Sequence, residues 1–125
     1  MTPTLKPHIL MISNDPSLDY LIERFAQRSG IQVSLVQAVP SAVQVGASLK
    51  PAAILFPSIE SLESAQALIA GLAGSEIPIM VFSSVAEEAR ARELGADHCL
   101  FHPLTYESFF SALAEANVIH EEESV

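Results

Sequence analysis

Pro51-Ala52-Ala53-Ile54-Leu55-Phe56-Pro57-Ser58 is a short apolar run with a proline near each end. A helix this short would not hold there, because proline removes an N–H donor and restricts the residue before it. The length fits a strand buried on both faces, as at the middle of a parallel sheet. Its C-terminal tip, Pro57-Ser58, carries no carboxylate. Ligands of open α/β sheets bind outside the carboxyl ends of the strands. What stands at this tip therefore decides which chemistry is open to the chain.

The same alternation runs outward in both directions. Upstream, His8-Ile9-Leu10-Met11-Ile12-Ser13 reads as a strand, and Asn14-Asp15-Pro16 as a helix start with Asp15 at the N-cap and Pro16 first in the helix. Leu18, Leu21, Ile22 and Phe25 recur at helical spacing through Arg28, and Gly30 stops the helix. Residues 31–36 predict a second strand, and residues 40–49 a weak second helix ended by Pro51. Downstream, residues 59–72 predict a third helix with Ser58 as its N-cap. Ile77-Pro78-Ile79-Met80-Val81-Phe82 predicts a fourth strand, and residues 86–94 a short helix closed by Gly95. His98-Cys99-Leu100-Phe101 predicts a fifth strand. Thr105 caps a last helix with Phe109, Ala112, Leu113 and Ala116 inward. Five strand–helix repeats mean a parallel sheet covered on both faces, an α/β doubly wound sandwich.

Composition narrows the function. The chain of 125 residues has room for one core. Half its residues are hydrophobic and its mean hydropathy is +0.36, so disorder is not expected. Fifteen acids against six bases give a net charge of −9, and the bases are scattered. Phosphate neutralisation needs a basic face, so nucleic-acid binding and an anionic membrane surface are not expected. The single cysteine, Cys99, allows no internal disulfide. No stretch is apolar and long enough for a membrane span, and Met1–Pro7 lacks a signal-peptide core. A soluble cytoplasmic protein is expected, with a domain over 8–117, an extension over 1–7, and an acidic tail or linker start over 118–125.

Three segments together resemble the receiver domain of response regulators. Ile9–Leu18 resembles that family's first strand and acidic loop, and Ile77–Ser84 its fourth strand and hydroxyl. The third segment, Gly95-Ala96-Asp97-His98-Cys99-Leu100-Phe101-His102-Pro103-Leu104, resembles its Gly-Ala-Asp…Lys-Pro segment and is the most specific. The resemblance implies a flavodoxin-like, CheY-like (βα)5 fold with strand order 2-1-3-4-5. It also implies phosphoryl transfer from a histidine kinase to an aspartate, with Mg²⁺ held by two acids and the phosphoryl group contacted by a hydroxyl and a lysine. Carried onto this chain, the two acids fall on Ser13 and Asn14, the acceptor on Pro57, the hydroxyl on Ser83 and the lysine on His102. Only Ser83 matches. Proline has no nucleophilic atom, and Asp15 alone is a poor Mg²⁺ site. Gly95 follows Ser83 by twelve positions (95 − 83), about one helical turn fewer than the family has. The Pro/Gly-containing loop usual after the third strand is absent too.

The degenerate pocket is thus Ser13, Asn14, Asp15, Pro57, Ser83 and His102. No catalytic residue, metal or cofactor is expected, and Mg²⁺ binding is not expected. The expected role is that of a non-enzymatic receiver-like module acting by protein contacts. Its partner would be a kinase, an output domain or a second copy, and dimerisation would use the fourth helix, fifth strand and last helix. Arg90, Arg92, Cys99, Phe101, Tyr106 and Phe110 are the candidate interface; exposed Phe101, Tyr106 and Phe110 would suggest a fixed docking surface there. Two other readings stay open: a flavodoxin-like small-ligand site at the strand tips, and phosphorylation on Asp15 or Ser58. Ser83 is expected to be a satisfied hydroxyl. His98 and Cys99 point to opposite faces of a strand and are not expected to share a metal ion. The resemblance also implies a cis His102–Pro103 peptide.

Overall fold

The computed structural model describes residues 7–13, 15–36, 51–71, 77–101 and 104–116. Asn14, the expected second helix, His102, Pro103 with its peptide geometry, and the acidic tail all lie outside these residues.

Five parallel strands form one sheet: β1 (His8–Ile12), β2 (Gln32–Val36), β3 (Ala53–Phe56), β4 (Ile79–Ser83) and β5 (His98–Phe101). Their order is β2-β1-β3-β4-β5, as the resemblance to receiver domains implies. All four residues of β3 are buried, and so is Pro57 beyond its tip. Strand alternation builds two cores from the same strands. Ile9, Met11, Leu55, Met80, Phe82 and Leu100 pack under α1 (Pro16–Ser29) and α5 (Tyr106–Glu115). On the other face, Leu10, Ile12, Ile54, Phe56, Ile79 and Val81 pack with Leu62, Ala91 and Leu94. Those three belong to α2 (Ile59–Ser64), to α4 (Glu88–Glu93) and to the end of α4.

Local signals set most boundaries. Asp15 is extended, and its carboxylate accepts the Ser17 N–H at 3.0 Å, which caps α1. Gly30 ends α1 at φ +77°, a left-handed conformation that strains residues with a Cβ. The Ile31 N–H then returns to Ala26 O at 3.0 Å and turns the chain into β2. Ser58 and Thr105 cap α2 and α5 through bonds to the N–H groups of Ser61 and Ser108, each 3.1 Å.

Two helices depart from expectation. The helix expected over 59–72 divides at Ala65 into α2 and α3 (Gln66–Gly71). There the Ala65 N–H bonds Leu62 O at 3.1 Å, a tight turn in place of an α-helical bond. The Gln66 amide donates to Leu62 O at 3.0 Å and to Leu94 O at 2.9 Å, tying the break to the end of α4. No proline or glycine marks residues 64–66, so the cause is this tertiary contact. The helix expected over 86–94 is a 3₁₀ turn (Val85–Glu87) followed by α4. The Glu87 carboxylate accepts the Ser84 N–H at 3.0 Å and holds that turn.

The Gly-Ala-Asp segment has a structural account. Asp97 Oδ2 accepts the Ile79 N–H at 2.8 Å, and the Asp97 N–H donates to Ile79 O at 2.7 Å. One residue thus fixes where β5 starts against β4. Gly95, at φ +106°, makes the turn that delivers it.

Candidate functional site

The carboxyl ends of β1, β3 and β4 bring Ser13, Pro57 and Ser83 to one edge of the sheet. Cα pairing of Met11 with Leu55 and of Phe56 with Val81 places Ser13 level with Pro57, and Ser83 just beyond on β4. Asn14 and His102 lie outside the described residues.

Each polar group at this edge has a definite use or lacks one. Ser13, half-buried, faces α1 and donates from Oγ to Asp19 Oδ2 at 2.5 Å. Asp15 is exposed and engaged as the N-cap. Ser58 is engaged as the cap of α2, with its hydroxyl also 3.1 Å from that of Ser61. Ser83 is only 5% exposed, and its hydroxyl has no partner among the described residues. That corrects the expectation of a satisfied hydroxyl, and a buried orphan of this kind has a cost in stability. Asp19 Oδ1 is likewise buried with no partner among the described residues.

Asp19 is the residue the sequence reading missed. The signal was present: Asp19 sits between Leu18 and Ile22 on the stripe that continues to Ala26, all three buried. An acid on an apolar stripe needs a partner, and the hydroxyl that ends β1 supplies it.

Among the described residues, no three His, Cys, Asp or Glu side chains are grouped to hold a metal ion. His98 and Cys99 part as strand alternation predicts. His98 Nδ1 faces Glu115 of α5 at 3.8 Å, whereas Cys99 packs against the opposite core.

The candidate interface residues do not form one exposed surface. Phe101, Tyr106 and Phe110 are half-buried. Tyr106 belongs to the contact between α1 and α5: its ring meets Phe25 edge-on at 5.8 Å and Phe110 at 5.9 Å. The Arg28 guanidinium lies 4.1 Å from its centroid, and Ser29 Oγ donates to its hydroxyl at 3.3 Å. The exposure that would mark a docking surface is thus not met at Tyr106, because an aromatic residue at the first position of α5 reaches α1. Arg90 and Arg92 are exposed but already paired. Arg90 bridges to Glu63 of α2 at 2.9 Å and faces Glu93 at 3.6 Å. The hydrogen bond to Glu63 raises the Arg90 pKa above its ordinary value. Arg92 pairs with Glu88 at 3.2 Å and donates to Asp97 O at 2.9 Å. Cys99 and Phe101 line a groove of about 460 Å³ with Thr105, Ser108 and Glu115, along the outer edge of β5.

Solved structures similar to this chain include receiver proteins. A response regulator structure from Chloroflexus aurantiacus superposes with a TM-score of 0.77 at 13% identity, over 89% of this chain and 97% of that one. A response regulator receiver protein from Burkholderia phymatum gives 0.76 at 18% identity, over 94% and 99%. The chain has the receiver fold. A third structure with this fold is the receiver domain of a sensor histidine kinase from Pseudomonas aeruginosa, which holds a magnesium ion in its active-site cleft. It gives 0.74 at 21% identity, over 88% and 96%. No family model and no curated protein matches the sequence. Among the described residues, no helix is long and apolar enough to cross a membrane.

Proposed function

We propose that the chain is a receiver-like signalling module of two-component phosphorelays that has no phosphoryl acceptor and works through protein contacts. The observation that carries this reading is Pro57, buried at the tip of the central strand where a receiver would hold its aspartate. Its surroundings agree. The Ser13 hydroxyl is committed to Asp19, and Asp15 and Ser58 are committed to helix caps. These residues do not fit a divalent cation held by carboxylates, so no step runs through Mg²⁺. The module is not an enzyme, and its setting is the cytoplasm. Its partner is a kinase, an output domain or a second copy; self-association through α4, β5 and α5 would have to use the groove at the edge of β5, since the candidate interface residues form no single exposed surface. Intact-mass analysis after incubation with Mg²⁺ and acetyl phosphate tests this. An unmodified mass is expected; a phosphoryl adduct would overturn the reading, and its position would show whether Asp15 or Ser58 accepts.

A second reading is a small-ligand site at the strand tips. It draws on the buried, unpartnered Ser83 hydroxyl and Asp19 Oδ1, which a bound polar group would satisfy. A large thermal shift with a nucleotide or flavin would favour it.

A further inference from the structure

The strand β2 lies at one edge of the sheet, with β1 on one side and no strand on the other among the described residues. The Gln32 N–H donates to Pro7 O at 2.9 Å, and the Val36 carbonyl accepts the Ser13 N–H at 2.6 Å. Residues 32, 34 and 36 thus face β1, and the N–H and C=O groups of Val33 and Leu35 point outward. An open edge of this kind is a template for another strand. The side chains beside it are apolar. Val33 packs toward the α1 face, and Leu35 follows it on that face at 37% exposed. Tyr20 of α1 is 60% exposed.

The cations of this acidic chain gather at the same place. Arg90 and Arg92 are paired with carboxylates. Arg24 and Arg28, on α1, form no ion pair among the described residues. Each is held against a tyrosine instead. The Arg24 guanidinium lies 5.6 Å from the Tyr20 centroid and donates to the Tyr20 hydroxyl at 2.9 Å. Arg28 lies over Tyr106 at 4.1 Å. A guanidinium stacked on a ring is oriented while its remaining edge N–H groups stay open to a carboxylate. Both arginines line a groove of about 970 Å³ beside β2, with Tyr20, Phe25, Val33 and, as its one carboxylate among the described residues, Glu23. The helix α1 runs from the end of β1 back to the start of β2. Arg24 and Arg28 therefore lie toward the end of the sheet opposite Ser13, Pro57 and Ser83.

We propose that an extended acidic segment of a partner protein adds to the sheet along β2, with its carboxylates turned toward Arg24 and Arg28. Backbone bonds to Val33 and Leu35 supply affinity, and the arginines select acidic side chains at alternate positions of the segment. A second copy of the chain fits this face less well. An isologous contact sets a patch against itself, and this patch holds two arginines to one carboxylate. The net charge of −9 repels an acidic segment elsewhere, which confines it to the face where arginines lack carboxylates. This contact does not depend on the acceptor-free reading of the strand tips.

The test titrates the isotope-labelled full chain with a capped octapeptide of alternating threonine and glutamate, whose glutamates share one face of a strand. Expected are saturable shifts of the amide signals of residues 20–28 and 32–36. Hydrogen exchange should slow at Val33 and Leu35, the two amides that a new strand would engage. The same peptide with glutamine for glutamate should bind about tenfold more weakly, and so should the glutamate peptide to Arg24→Gln/Arg28→Gln, since two exposed charge pairs are lost. The peptide control leaves the protein unchanged, so the test stands should the arginine variant fold poorly. Absence of binding overturns the proposal, as do equal affinities for the two peptides. Shifts without slowed exchange at Val33 and Leu35 overturn the added strand and leave a side-chain contact alone. Slow exchange at these two amides in the free chain overturns it too: with a dependence on protein concentration the edge belongs to a second copy, and without one to the chain itself.

Discussion

Pro57→Asp is expected to destabilise the protein and to gain no phosphoryl acceptance. The position is buried at the end of the central strand, so the new carboxylate would lose its water. Leaving such a charge uncompensated costs on the order of 3 kcal/mol. Nearby polar groups offer little: Ser13 is bonded to Asp19, and of the two buried atoms unpartnered among the described residues, Asp19 Oδ1 belongs to a carboxylate, which leaves the Ser83 hydroxyl as a donor. Burial pushes the new carboxyl's pKa above its unfolded value of about 3.9. The folded state then holds the proton more tightly than the unfolded one. The cost is therefore full above the raised pKa and disappears as pH falls below the unfolded value. Urea unfolding of parent and variant across this range, with intact mass after acetyl phosphate, checks both parts. A variant as stable as its parent at neutral pH, or one that takes up a phosphoryl group, would contradict the expectation.

The second large effect is at Ser13 and Asp19. Ser13→Ala is expected to cost about 1–3 kcal/mol, because Asp19 would then have neither oxygen partnered within the described structure. Asp19→Ala removes the needy group itself. In the background of Asp19→Ala, replacing Ser13 should therefore cost far less, and a double-mutant cycle should show coupling of about 1–2 kcal/mol. Additivity within about 0.5 kcal/mol would mean that the bond stabilises nothing. This pair holds the first turn of α1 to the end of β1, where a receiver would place an acidic metal ligand. In this chain the acid is four residues further on from Asp15, and it serves packing.

How much of this was legible follows from where each signal is written. The five strands, the caps at Asp15, Ser58 and Thr105, and the stop at Gly30 are local, and the sequence predicts them; the strand order is not local, and only the resemblance to receiver domains implies it. The break at Ala65 is not local. It needs the Gln66 amide to find Leu94 across a helix packing that no spacing encodes. Tyr106 has the same explanation: nothing in its position at the start of α5 tells that its ring is claimed by Phe25 and Arg28. At the strand tips the sequence shows which atoms are missing, because residue types are enough for that. It does not show how the remaining atoms regroup. Asp19 capturing Ser13, and the orphaned Ser83 hydroxyl, follow only from three-dimensional neighbours.

The acceptor-free reading is tested most directly by amide spectra of the full chain with and without Mg²⁺ and beryllofluoride. That pair mimics a phosphoryl group only where an aspartate and metal-binding acids receive it. The signals of Ser13, Ser58 and Ser83 are predicted to stay in place. Saturable shifts confined to those three residues would contradict it.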